Sequence, residues 1–167
     1  MALRSAVLFE DVFKVDALNP EGKKFENVSR VVAKGLTYEM ELVVDVHAEL
    51  YPIKTKDEFT MALASTLDLQ GNPDDDTYNQ SGELTLLDKF DYCMHGKIFS
   101  YEHVGESKVA VYISYGGLLM KLVGDQRHLQ SLELDSRVYA LMRKYKHDGV
   151  NYAVKFMKKH EIIKLKQ

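Results

Sequence analysis

The chain has 167 residues, 46% of them hydrophobic, enough for one ordinary core and too little for a multidomain enzyme. Its lone cysteine, Cys93, excludes an internal disulfide framework and fits a reducing compartment, cytosol or nucleus; no apolar run approaches the ~20 residues of a membrane helix, and the first residues lack the apolar core of a signal peptide. The net charge of −3 is unevenly spread: Met1–Met142 carries 14 basic and 23 acidic residues, a balance of −9, whereas Arg143–Gln167 carries 8 and 2, a balance of +6. An acidic body argues against broad nucleic-acid binding, which draws on neutralised phosphates, and leaves only the basic tail to supply that attraction.

In chain order, strands are predicted at about 7–15 and 28–34, separated by the turn Asn19-Pro20-Glu21-Gly22. Tyr38, Met40, Leu42, Val44 and Val46 then alternate with Glu39, Glu41, Val43, Asp45 and His47, the pattern of a strand with one wet face. A further strand is predicted at 58–66. Gly71–Leu87 differs in kind: Asp74-Asp75-Asp76 follows Pro73 and large apolar anchors are few, so a mobile, solvated acidic loop is expected.

Phe90, Tyr92, Met94 and Ile98 alternate with Asp91, Cys93, His95 and Lys97, and Val109, Val111, Ile113 and Tyr115 with Lys108, Ala110, Tyr112 and Ser114. Gly116-Gly117 leads into a strand at 117–123, so a bulge or sharp bend between two strands is expected there. One helical turn near Gln126–Ser131 precedes a last strand at 137–143. Eight strands without helical repeats predict a small antiparallel barrel or sandwich.

Chemistry-bearing patterns are sparse. An EF-hand starting at Asp74 needs Gly at its sixth position and Glu at its twelfth, but Asn79 and Thr85 stand there, so the loop is not read as a metal site. Cys93 and His95 share one strand face and could form an activated thiolate pair, but the alternation explains them equally as the polar side of an ordinary strand. The remaining histidines have no metal-ligand spacing, and there is no nucleophile elbow, P-loop or dinucleotide fingerprint. The 17 Phe and Tyr rings are read as core or partner-interface residues, because the base-stacking alternative requires a basic groove that the barrel lacks.

Several segments occur in a telling order: Leu8-Phe9-Glu10-Asp11-Val12-Phe13, Asn19 to Phe25, Val28-Ser29-Arg30, Tyr51-Pro52, Ala64-Ser65-Thr66-Leu67 and Met94-His95-Gly96-Lys97, then Tyr112 to Met120 and Asp135-Ser136-Arg137-Val138-Tyr139. From about Leu8 to Lys144 the chain resembles the small OB-fold subunit shared by eukaryotic RNA polymerases I, II and III. The glycine-pair stretch and Asp135-Ser136-Arg137 carry the likeness as a set. The resemblance implies an eight-stranded antiparallel OB-type barrel over residues 1–144, with no catalytic site, cofactor or metal of its own. It also implies a subunit that docks on the largest subunit of each polymerase, in the nucleus and nucleolus, and supports assembly while the large subunits perform catalysis with magnesium. Two other classes are weighed against it: a stand-alone single-strand-binding barrel that relies on the basic tail, and a small-molecule-binding barrel or enzyme built on Cys93 and His95.

For partner contact the expected residues are Tyr115, Gly116, Gly117, Leu119 and Arg137. The strand at 117–123 is apolar on both faces and only one can enter the barrel, so Leu119, with neighbouring Tyr115, either meets a partner or lies under a loop of the barrel itself. Gly116 and Gly117 would let a foreign backbone approach closely. Arg137 either pairs locally with Asp135 or reaches a partner carboxylate.

The family ordinarily stops near Arg143-Lys144, and residues 145–167 depart from it. Val150, Ala153, Val154 and Met157 have helical spacing with Lys155, Lys158 and Lys159 elsewhere on the wheel, so this basic extension is read as a short amphipathic helix or a disordered tail. It either touches nucleic acid or a neighbouring subunit, has no role, or marks an alternative transcript end.

Overall fold

The computed structural model describes residues 7–22, 25–69 and 85–145. The amphipathic helix or disordered tail expected at 145–167 lies outside them from residue 146 onward, as do residues 70–84 of the acidic loop. Among the described residues eight strands form: β1 (Val7–Leu18), β2 (Val28–Gly35), β3 (Glu41–His47), β4 (Glu58–Ala64), β5 (Tyr92–His103), β6 (Lys108–Tyr115), β7 (Leu118–Asp125) and β8 (Arg137–Tyr145). They close in the order β1-β2-β3-β7-β6-β5-β8-β4, with every pairing antiparallel. Two meanders, β1-β2-β3 and β5-β6-β7, thus meet along β3 and β7, and β8 and β4 close the opposite side.

The predicted alternation sets which side chains enter the barrel. Phe9, Phe13 and Val15 of β1, Leu42, Val44 and Val46 of β3, Met94 and Ile98 of β5, Val109, Val111, Ile113 and Tyr115 of β6, and Met120 and Leu122 of β7 share one continuous core. Phe13 stacks on Phe59 at 5.8 Å near its centre. Tyr38, expected on the same stripe as Met40, lies outside β3; its ring stacks on His128 at 4.1 Å, while Met40 is fully buried.

One polar residue occupies an inward position. Asp11 is 4% exposed, and its carboxylate accepts hydrogen bonds from the backbone N–H groups of Val12, Thr37 and Tyr38, so it ties β1 to the turn between β2 and β3. Gly35 makes room for it, since a Cβ there would lie 2.5 Å from an Asp11 carboxylate oxygen.

Three local features add to the reading of the sequence. The glycine pair makes the sharp bend between two strands in its tightest form: Tyr115 pairs with Leu118, and Gly116 and Gly117 have φ of +63° and +101°, a two-residue hairpin turn whose backbone twist matches the flanking strands. Register shifts fall in β1, between Val7 and Phe9 and between Val15 and Ala17, and a bulge falls in β5, between Ile98 and Ser100, with β5 running on to His103. The end of the acidic segment is ordered by a capping box. Thr85 Oγ1 accepts from Leu87 N–H and the Asp88 carboxylate accepts from Thr85 N–H, opening a short 3-10 turn (Leu86–Lys89). Leu86 is buried in a satellite apolar cluster with Ala62, Ala64 and Leu141 on the barrel's outer wall. The expected helical turn, α1 (Gln126–Leu129), is capped by the Asp125 carboxylate, which accepts from Arg127 N–H at 2.9 Å.

Candidate partner interface

The strand order β8-β5-β6-β7 places together residues that are far apart in the chain. Arg137 pairs with Lys97, Lys97 with Ser114, and Ser114 with Leu119. Their neighbours Gly96, Ile98, Ile113, Tyr115, Met120 and Val138 are buried, so all four side chains point away from the core. With strands about 4.8 Å apart, this row spans roughly 14 Å of outer wall beside the hairpin tip. The row below it joins Ser100, Tyr112, Lys121 and Val43.

Phe99 is the extra residue of the β5 bulge. The bulge sets two successive side chains outward, since Phe99 follows the inward Ile98 and Ser100 pairs with the outward Tyr112. Phe99 is therefore 50% exposed and tilts against Tyr112 with ring centres 6.1 Å apart. Lys121 Nζ sits 5.7 Å from the Tyr112 ring centre. Leu119, 44% exposed, completes an apolar and cationic surface.

The backbone under Leu119 is fixed by a buried carboxylate. Pairing between β3 and β7 ends at Val44 and Met120, and Asp45 takes the next donor, accepting from Leu119 N–H at 3.1 Å. Arg30 donates to both Asp45 carboxylate oxygens, Nε at 2.7 Å and Nη2 at 3.1 Å. This hydrogen bond, followed by the charge of Asp45, holds the Arg30 guanidinium above its ordinary pKa. The bidentate pair thus links β2, β3 and β7 where the ladder between β3 and β7 ends.

Of the five residues expected to meet a partner, four lie on or beside this surface. Gly116 and Gly117 form the exposed hairpin tip, and a Cβ on either would find nothing within 4 Å. Arg137 opens β8, with no ion pair among the described residues; the local pairing with Asp135 is not formed, because Asp135 faces Lys97 instead, at 3.8 Å. Asp135 and Ser136 do anchor the entry of β8 through their backbone, by Asp135 N–H to Ile98 C=O and Ile98 N–H to Ser136 C=O. Tyr115 is separated from Leu119 by the barrel wall: it is 5% exposed, its ring packs over Gly96, and burial raises its phenol far above the ordinary value.

Lys97, Phe99, Tyr112 and Lys121 were not singled out by sequence. Three of them stand at outward positions of predicted strands, and Phe99 falls one residue past the predicted alternation; only the barrel order makes them neighbours. Cys93 and His95 do share the outer face of β5, without forming an activated pair. The thiol borders the satellite apolar cluster, where burial pushes it up to about 11, opposite to what a nucleophile requires, and His95 stacks on Tyr139 at 4.2 Å. Among the described residues no cluster of His, Cys, Asp and Glu could hold a metal ion. A groove of about 630 Å³ beside β1, Tyr38, His128 and Arg143 contains one buried carboxylate, Asp11, already committed to backbone donors.

Residues 10–144 match the family described as RNA polymerase Rpb8. The chain is 46% identical over 140 residues to "DNA-directed RNA polymerases II, IV and V subunit 8B" of Arabidopsis thaliana, covering 83% of this chain and 96% of the plant protein. It is 45% identical over 141 residues to "DNA-directed RNA polymerases I, II, and III subunit rpabc3" of Dictyostelium discoideum, covering 84% and 99%. With the corresponding Saccharomyces cerevisiae subunit it shares 34% over 148 residues, covering 84% and 99%. The matched residues run from β1 to β8, including the glycine hairpin and the Asp135-Ser136-Arg137 entry to β8, and the chain belongs to the RNA polymerase Rpb8 family.

Proposed function

We propose that this chain is a non-catalytic subunit common to nuclear DNA-directed RNA polymerases I, II and III, docked on the largest subunit through the outer wall of β5-β6-β7 and the start of β8. Family membership supports the polymerase assignment, and the single structural observation that supports the mode of action is the transverse row Arg137, Lys97, Ser114 and Leu119 beside the exposed Gly116-Gly117 tip. A closed barrel with a continuous core is a rigid part, so little ordering cost falls on it when a partner binds. The Asp45 clamp holds the Leu119 backbone in place before contact.

The cellular location that follows is the nucleus, with the nucleolus included for polymerase I. The set of polymerases is itself part of the proposal, since the plant relative carries II, IV and V in its name and the Dictyostelium relative I, II and III. Affinity purification of the tagged chain from nuclear extract, with mass spectrometry, tests the reading. Recovery of the large subunits of polymerases I, II and III in comparable amounts supports it; recovery of the chain alone or with single-strand-binding factors refutes it. Leu119→Asp places a charge at the centre of the proposed contact and is expected to abolish co-purification with the largest subunit while leaving the barrel folded.

A further inference from the structure

Taking the docking assignment as its starting point, we infer that the segment received by this outer wall is an acidic stretch of protein with interspersed apolar side chains. The sign of the charge is the first argument. Residues 1–142 carry a balance of −9, yet on this wall Arg137, Lys97 and Lys121 stand together. Glu41 is diagonal to Lys121 but stands opposite Lys34, and Glu102 is one row further out, so neither lies in the row of Lys97 and Arg137; the two carboxylates closest to that row do not cancel its charge. Asp45 is 5% exposed and bound to Arg30, and Asp135 is 3.8 Å from Lys97 with both side chains largely in solvent, a pair of little strength. Local cationic charge on an acidic body attracts acidic partners selectively and repels copies of the same body.

The second argument is the interleaving of charge and apolar surface. Leu119 and Phe99 are each about half exposed and lie in or beside the row that carries Lys97 and Arg137. Apolar side chains of a partner would cover Leu119 and Phe99 while its carboxylates meet the cations between and beside them. Arg137 can take a carboxylate in bidentate fashion, as Arg30 already takes Asp45.

Single-stranded nucleic acid would also supply anions, but the surface suits it poorly. Base stacking needs free ring faces, and Tyr112 is shared between Lys121 on its face and Phe99 at its side, leaving Phe99 as one exposed ring. Three cations give a weak phosphate attraction against a body of net negative charge.

The test uses the full-length tagged chain with p-benzoylphenylalanine at position 99 or 119, incorporated in cells and irradiated after polymerase purification. Both positions are expected to cross-link to one segment of the largest subunit that carries at least two carboxylates within a few residues of the attachment point. The charge-reversed double variant Lys97→Glu/Arg137→Glu is expected to lower co-purification about tenfold or more, and exchanging the cross-linked carboxylates for lysines is expected to restore it. Restoration by the swap distinguishes charge pairing from a folding defect. A neutral or basic cross-linked segment, cross-links to nucleic acid, or an unchanged yield with the double variant overturns the inference. Cross-links to an acidic segment of a different subunit uphold it and refute docking on the largest subunit; absence of any protein cross-link overturns both.

Discussion

Gly96 and Gly124 offer a paired test of how the barrel wall is packed. Both are buried strand glycines, and a Cβ added at either meets another atom at nearly the same distance: 2.1 Å from the Ser114 carbonyl oxygen for Gly96, and 2.0 Å from Met40 Sδ for Gly124. The obstacles differ in kind. At Gly96 the obstacle is backbone, 1.3 Å inside the 3.4 Å at which ordinary contact begins, with the Tyr115 ring at 2.6 Å behind it. Relief requires β5 and β6 to part beside the Lys97 and Ser114 pairing. At Gly124 the obstacle is the end of an unbranched side chain with three rotatable bonds, which can turn aside. Gly96→Ala should therefore cost about 3 kcal/mol or more, the upper range for overpacking, whereas Gly124→Ala should cost about 1 kcal/mol after Met40 repacks and the unfolded chain loses freedom. For a chain of this size these values correspond to falls in Tm of about 6–12 °C and 2–4 °C. Thermal and urea melts of the purified full chain, followed by circular dichroism, measure both. A Gly124→Ala protein as destabilised as Gly96→Ala, or a Gly96→Ala protein within about 0.5 kcal/mol of the parent, would refute the reasoning.

Other outcomes follow from the same geometry. Asp45→Ala removes the acceptor for Leu119 N–H and leaves Arg30 unpaired, and should cost about 1–3 kcal/mol; faster deuterium exchange at the Leu119 amide is its specific signature, and unchanged exchange would show that the clamp is not formed. Gly117→Val should cost about 1–3 kcal/mol in a urea melt although space around it is open, because φ of +101° is strained for a β-branched residue. The Cys93 thiol should resist iodoacetamide in the native chain at pH 8, with alkylation rising only as pH approaches about 11. The sign for stability is the same: because the folded state holds this proton more tightly than the unfolded state, the contribution is present below the ordinary thiol range of about 8.5 and is lost as pH rises toward about 11. Rapid alkylation at pH 8 in folded protein would refute the burial of the thiol.

The alternation of Leu42, Val44 and Val46, or of Val109, Val111, Ile113 and Tyr115, was readable because side-chain direction in a strand is a local property with period two. The same locality made the hairpin position readable at Gly116-Gly117 and the helical turn at Gln126, and the ordered set of segments pointed to the polymerase family. Tertiary structure decided what depends on pairing between distant strands. Lys97, Ser114, Leu119 and Arg137 became one row only through the order β8-β5-β6-β7, and Leu119 was parted from Tyr115 because Ser114, rather than Tyr115, is its cross-strand neighbour. Ser100 joined Phe99 on the outer face at a bulge that leaves no composition signal, and Asp45, one polar letter in an apolar strand, became the clamp on a residue 74 positions away. Periodicity tells each side chain which wall it belongs to; the register of neighbouring strands, set by closure of the whole barrel, determines which side chains share that wall.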